Sequence, residues 1–242
     1  MSEQIEGRNA VRGMLDKYRY LPHRDRAFIK RVSEGTIERR IELDYIINQF
    51  SRTKVNKMKP VIRAILESGV YQLFYMDSIP DSAVCNEAVN LAKKRGFGGL
   101  KSFVNGVLRS IARNRDNISW PSPEKEPVHA AAVRYSMPDW IVERFFRQFG
   151  QERSIHILEA FMDKHSTCVR VDIGRKAPEE VRRSLEEQGI SVSPVKGVPE
   201  AFYIDGYDVL DEIPEFKSGI LYVQDVSSMM VAKSALEGCS GF

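Results

Sequence analysis

The 242-residue chain is 43% hydrophobic and 29% charged, the balance of a globular protein rather than of a disordered or fibrous one. No stretch approaches the ~18 consecutive apolar residues of a membrane helix. The opening MSEQIEGRNAVRG has no apolar core and no small-residue cleavage site, so neither a membrane span nor a secretory signal is expected and the protein is placed in the cytoplasm. The net charge of +3 is unevenly spread: residues 1–128 carry 23 Lys/Arg against 15 Asp/Glu, and residues 129–242 carry 13 against 18. That asymmetry fits a polyanion-binding module joined to one with a different task.

The first half reads as helix throughout. Residues 24–50 place Phe28, Val32, Ile37, Ile41, Tyr45, Ile46 and Phe50 at helical spacing with basic residues between them, and Gly35 is the expected bend. Pro60 opens a helix through Phe74 whose apolar positions are Val61, Ile62, Ile65, Leu66, Val70 and Leu73. A third helix runs from Ser82 to Arg95, started by Asp81 and Ser82 and stopped at Gly96, and a fourth covers about 101–114. In the last, Gly106 is assigned to close helix approach and Asn105 to satisfying backbone groups beside it.

Residues 115–128, RDNISWPSPEKEPV, have no helical or strand period and contain three prolines, which marks a domain boundary. Beyond it, helices at about 138–149 and 152–164, with Trp140 and Phe145 read as core, precede a strand over 168–173. A helix at 178–188 and short strands at 190–195, 201–204 and 220–224 follow. The expected fold is mainly α: an all-α bundle (1–115), a linker (116–130), a small α+β domain (131–225), and a segment 226–242 beginning with a helix that Asp225 caps. The cysteines Cys85, Cys168 and Cys239 are far apart and form no CxxC pair, so neither a metal site nor a disulfide framework is expected.

Four stretches carry a resemblance to a known family. DRAFIKRVSEGTIERRIELDYIINQF (25–50), KVNKMKPVIRAILESGVYQLFYMDSIPDSAVCNEAVNLAKKRG (54–96), LKSFVNGVLRSIAR (100–113) and RYSMPDWIVERF (134–145) resemble the NusB-like front of the Sun/Fmu family of 16S rRNA 5-methylcytosine methyltransferases. The likeness continues through CVRVDIGRKAPEEV (168–181), similar to the family's RVN segment, and GILYVQDVSSMMVA (219–232), similar to its QD-x-SS segment. Asp172 stands where the family pattern has Asn, and Met137 where a His is usual. The stretch before Met14 reads as shorter than the family's opening helix.

The resemblance implies a NusB-like helical bundle, 16S rRNA as partner, and S-adenosylmethionine as methyl donor in the complete enzyme. It also implies a reaction in which a cysteine thiolate adds to cytosine C6, C5 is methylated, and the enzyme is eliminated. The family's DxCAAPGGK-like loop and its PC and TC cysteines are not found in these residues. No catalytic or cofactor-binding residue is therefore expected here, and the chain is expected to be inactive on its own, with a separately encoded methyltransferase domain as a further partner and a monomeric state.

RNA recognition is expected of Arg24, Arg26, Lys30, Arg31, Arg39, Arg40, Lys54, Lys57 and Lys59. With Arg52 they make ten positive charges against five negative ones over residues 24–59. Arg109 and Arg170 are added, the latter because it alternates with Val169 and Val171 on a strand and, by resemblance to the RVN segment, faces RNA phosphate or a cofactor domain. The same basic residues are equally readable as a solvated, ion-paired helix surface. A stand-alone NusB-type antitermination module and a protein-only scaffold are the competing functions.

Overall fold

The computed structural model describes residue 13 and residues 17–163, 166–207 and 209–239, with side chains through residue 235. The described residues form two compact units divided between Met162 and Asp163.

The first unit is all helix: α1 (His23–Glu38), α2 (Arg40–Phe50), α3 (Pro60–Tyr75), α4 (Asp81–Lys94), α5 (Lys101–Arg113), α6 (Pro127–Arg134), α7 (Asp139–Phe149) and α8 (Gln151–Met162). Proline occupies the first turn of α3 and α6, where its fixed φ suits the helix and its missing N–H costs nothing. The main core is built from Leu43, Ile46 and Ile47 of α2, Ile62, Leu66, Val70 and Leu73 of α3, Val84, Ala88 and Ala92 of α4, and Val104, Leu108 and Ile111 of α5. A second cluster, Ala131, Ala132, Tyr135, Val142 and Leu158, closes α6 to α8 on one another.

Two glycines set the closest approaches, and they are not the expected one. A Cβ on Gly35 of α1 would run into the ring of Tyr71 on α3, and one on Gly69 of α3 would meet Leu108 of α5 at 2.9 Å. Gly106 has nothing within 4 Å of such a Cβ and faces outward, so the packing role assigned to it belongs to Gly69. Nor does Gly35 bend the helix. The break between α1 and α2 falls at Arg39, and Gly35 stays inside α1 because its missing side chain makes room for Tyr71.

The segment expected to be a linker is held on the first unit. Ile118 is buried in the main core, the Tyr45 hydroxyl donates to the Ser119 carbonyl (2.7 Å), and the Ser119 N–H donates to Gln49 Oε1 (3.0 Å). Trp120 stacks on Tyr45 with ring centroids 6.1 Å apart. The N-terminus of α2 lacks a side-chain cap of its own; instead Ser136, just past α6, accepts a hydrogen bond from the Ile41 N–H at 2.9 Å. One of the orphan donors of α2 is thus satisfied from 95 positions away.

The second unit holds a four-stranded antiparallel sheet in the order β2-β3-β1-β4, with β1 Thr167–Val171, β2 Ser191–Val195, β3 Val198–Asp205 and β4 Leu221–Val223. Between β1 and β2 lies α9 (Pro178–Glu187), a single turn α10 (Pro214–Lys217) precedes β4, and α11 (Val226–Cys239) follows it. Alternation along β1 sends Val169 and Val171 to one face, where Val181 and Leu185 of α9 join Phe202, Ile204 and Leu221. The opposite face places Cys168 against Ala201, Val198 and Met229 of α11, so the sheet is covered on both sides. As expected, Asp225 caps α11, its carboxylate accepting from the Ser227 N–H at 2.8 Å, and these bonds from Ser227 hold it below the usual carboxylate range. Asp172 accepts from the Gly174 N–H (3.1 Å), closing the turn after β1.

Candidate nucleic-acid interface

The basic residues singled out from the sequence divide into two populations. One is built into the first unit. Arg39 donates to Glu42 Oε2 (3.0 Å) and to the Tyr75 hydroxyl (2.9 Å), and its guanidinium lies 4.3 Å from the centroid of the Tyr75 ring. Arg40 contacts Glu67 Oε1 at 3.3 Å, and Arg31 donates to the Tyr75 carbonyl at 2.8 Å, satisfying one of the last acceptors of α3. Arg26 donates to the Arg19 carbonyl at 2.8 Å.

At the centre of this network stands a cation that sequence reasoning passed over. Arg63 of α3 pairs with Asp44 of α2 and, at 2.8 Å, with Glu67 one turn further along α3. Glu42 and Glu67 are buried at 8% and 6% exposure, which is tolerable for carboxylates only because Arg39, Arg40, Arg63 and Tyr75 surround them. Burial, and then the neighbouring Asp44 carboxylate, push Glu67 up from an ordinary 4.5 to about 7 against the pull of Arg63 and Arg40. The signal was present in the sequence as the i,i+4 pair Arg63/Glu67 inside an otherwise apolar helix.

The other population faces solvent. Arg24 and Lys30 on α1 are exposed, as are Arg52, Lys54, Lys57 and Lys59 in the connection from α2 to α3. No Asp or Glu occurs between Asp44 and Glu67, so the cations of this connection have no local acid to pair with. The connection is nonetheless structured. Asn48 Oδ1 accepts from the Val55 N–H (3.0 Å), the Ser51 hydroxyl donates to the Thr53 carbonyl (2.7 Å), Val55 is buried, and Val55–Lys57 forms a 3-10 turn. Lys54 reaches back to the Asn48 carbonyl at 3.2 Å. The connection thus presents four exposed cations on a hydrogen-bonded backbone.

Arg109 is exposed on α5. Arg170 lies in the other unit, half-buried near the end of β1, where it donates to Gln224 Oε1 at 3.3 Å. Phe145 is partly buried in the α6–α8 cluster as expected, but Trp140 is 61% exposed, so its assignment to the core was wrong. The inward positions of α7 are Ile141, Val142, Phe145 and Phe146, and Trp140 falls on the other side of the helix.

The described cysteines are poorly suited to nucleophilic chemistry. Burial pushes the Cys85 thiol up, as it does that of Cys168, where Asp225 adds to the effect. The side chain of Cys239 lies outside the described residues. Among the described residues no group of His, Cys, Asp and Glu is placed to hold a metal, and no helix is long and apolar enough to cross a membrane.

Comparison with known proteins gives two domains. Residues 2–113 match the NusB family, and residues 137–209 match a Methyltr_RsmF/B-like, ferredoxin-like domain. The first match reaches back to residue 2, ahead of the described helices. The chain is 31% identical to a probable ribosomal RNA small subunit methyltransferase B of Synechocystis sp. over 228 residues, 93% of this chain and 50% of the relative. It is 31% identical over 214 residues to the corresponding Bacillus subtilis protein, covering 88% of this chain and 47% of that one. Against ribosomal RNA small subunit methyltransferase B of Escherichia coli O1:K1 the identity is 25% over 205 residues, 85% of this chain and 46% of the relative. This chain therefore spans about half the length of the curated relatives it matches. The crystal structure of PH0851 shares the fold at a TM-score of 0.69 and 20% identity, over 90% of this chain and 48% of that one. The chain thus carries a NusB-family domain followed by a Methyltr_RsmF/B-like, ferredoxin-like domain, and along most of its length it is similar to ribosomal RNA small subunit methyltransferase B proteins.

Proposed function

We propose that residues 1–242 recognise 16S rRNA on behalf of a cytosine-5 methyltransferase and do not themselves move the methyl group. The observation that carries this reading is the acid-free connection between α2 and α3, where Arg52, Lys54, Lys57 and Lys59 stand exposed on a backbone fixed by Asn48 and Ser51. Each phosphate these cations neutralise releases condensed counterions, so binding weakens steeply with salt. Arg24 and Lys30 on α1 and Arg109 on α5 extend the same chemistry, whereas Arg39 and Arg40 serve RNA only indirectly, by holding α2 and α3 together.

In this reading residues 1–115 grip RNA and residues 131–225 stand between that domain and the catalytic machinery. S-adenosylmethionine and the attacking thiolate belong to residues other than these, consistent with the raised thiols of Cys85 and Cys168. The protein acts as a monomer, in concert with a methyltransferase domain carried on the same or another polypeptide.

Fluorescence anisotropy with a labelled small-subunit rRNA fragment tests the proposal. Binding is expected to weaken by at least tenfold, on the order of what three or four phosphate contacts give, between 50 and 200 mM salt. Affinity that does not change with salt would refute it, and a clear calorimetric signal with S-adenosylmethionine would refute the division of labour.

A further inference from the structure

The outward face of α7 is a second candidate contact, and it differs in kind from the basic connection. Helix α7 buries Ile141, Val142, Phe145 and Phe146 on one side. At ~100° per residue the Trp140 side chain stands about 170° from the centre of that apolar stripe. It is 61% exposed, on a helix whose apolar face already has its partners. Arg144 and Arg147 follow at i+4 and i+7 on the same side, and together with Trp140, Glu143 and Gln148 they line a shallow depression of ≈ 550 Å³. Arg144 is exposed and Arg147 makes only a 3.8 Å contact with Glu143, in which both side chains are more than half exposed. Such a pair is too weak and too solvated to occupy the guanidinium.

The chemistry of this face selects among occupants. Trp140 is its one large apolar group, flanked by two guanidinium groups, a carboxylate and a carboxamide. A protein hot spot surrounds its tryptophan with further apolar contacts that exclude water, and none is present here. An unpaired nucleotide needs what is present: a flat aromatic surface for the base, cations for the flanking phosphates, and amide and carboxylate groups that can meet a base edge.

We propose that the outer face of α7 binds a single-stranded RNA segment, with one unpaired base stacked on Trp140 and the neighbouring phosphates on Arg144 and Arg147. The inference rests on the RNA-binding reading above and adds to it a contact that prefers unpaired bases, where the connection between α2 and α3 grips phosphate without regard to pairing.

The chain has two tryptophans, so Trp120→Phe leaves Trp140 as the sole indole fluorophore. Titrating that variant with an unstructured RNA dodecamer is expected to quench its emission, as stacking a base on the ring requires. In the natural background Trp140→Ala is expected to weaken dodecamer binding about tenfold, with Trp140→Phe retaining most of the affinity and Arg144→Ala with Arg147→Ala weakening it further. Trp140 is exposed, so thermal melts of these variants should match the parent. Unquenched emission at saturating RNA, or a Trp140→Ala variant that binds the dodecamer like the parent, overturns the inference. A Lys54→Glu/Lys57→Glu variant separates it from the broader reading. If that variant loses rRNA while Trp140→Ala does not, only the α7 contact is wrong; if the parent binds neither RNA, both fall.

Discussion

Arg39, Arg40 and Arg63 on one side, and Arg52, Lys54, Lys57 and Lys59 on the other, are interleaved within 25 residues of sequence and look alike there. In the fold they part. The first three lie against the buried carboxylates of Glu42 and Glu67 and the half-buried one of Asp44 and hold α2 to α3, while the other four stand in solvent on the connection between those same helices. Charge alone therefore does not mark a binding residue. What separates the groups is whether an acid lies within reach, and all the acids of residues 40–67 lie on the helices themselves.

The most severe way to break this contrast is to remove the central cation. Arg63→Ala leaves the buried Glu67 and the half-buried Asp44 without their shared partner and is expected to cost about 3 kcal/mol in urea unfolding. The folded fraction should bind RNA as before. The converse holds for the exposed set. Lys54→Glu/Lys57→Glu is expected to lower rRNA affinity by about a hundredfold, roughly 2.7 kcal/mol, while changing the unfolding free energy by no more than about 0.5 kcal/mol. If both variants lose stability equally, the two populations are not distinct.

The pH dependence sharpens the same point. Glu67 is held up to about 7 in the folded protein from an ordinary 4.5, so the native state keeps this proton longer than the unfolded chain does. Its contribution to stability is complete below about 4.5 and is lost as pH rises through 7. Glu67→Gln, which mimics the protonated form, is therefore expected to gain about 2 kcal/mol relative to the parent between pH 5 and pH 8, read from paired urea melts at the two pH values. A constant difference would mean that Glu67 is already ionised at pH 5. The smallest effect belongs to the glycines. Gly106→Ala, on an outward helical position with open space around it, is expected to stabilise by about 0.5 to 1 kcal/mol, whereas Gly35→Ala must displace the Tyr71 ring and destabilise. Thermal melts of the pair would show the opposite signs.

Much of this was legible in the residues. Periodicity located the helices from Pro60, Asp81 and Lys101, alternation located β1, and Asp225 was readable as a cap, because each of these depends on neighbours within one or two turns. The family could be read from four stretches of ordinary sequence. Trp140 was within reach too, since the phase set by Ile141, Val142, Phe145 and Phe146 already turned it outward.

Other features required the chain to be folded. Ser136 caps α2 across 95 positions, Gly35 rather than Gly106 serves a helix contact, and Tyr75 joins Arg39 and Glu42 from another helix. The sequence by itself determined the elements, the two-domain order and the excess of positive charge toward the front. Only the tertiary structure decided which of those charges are paired inside and which stand exposed. Ion pairing and burial depend on distances between helices, and no spacing along a single helix encodes those distances.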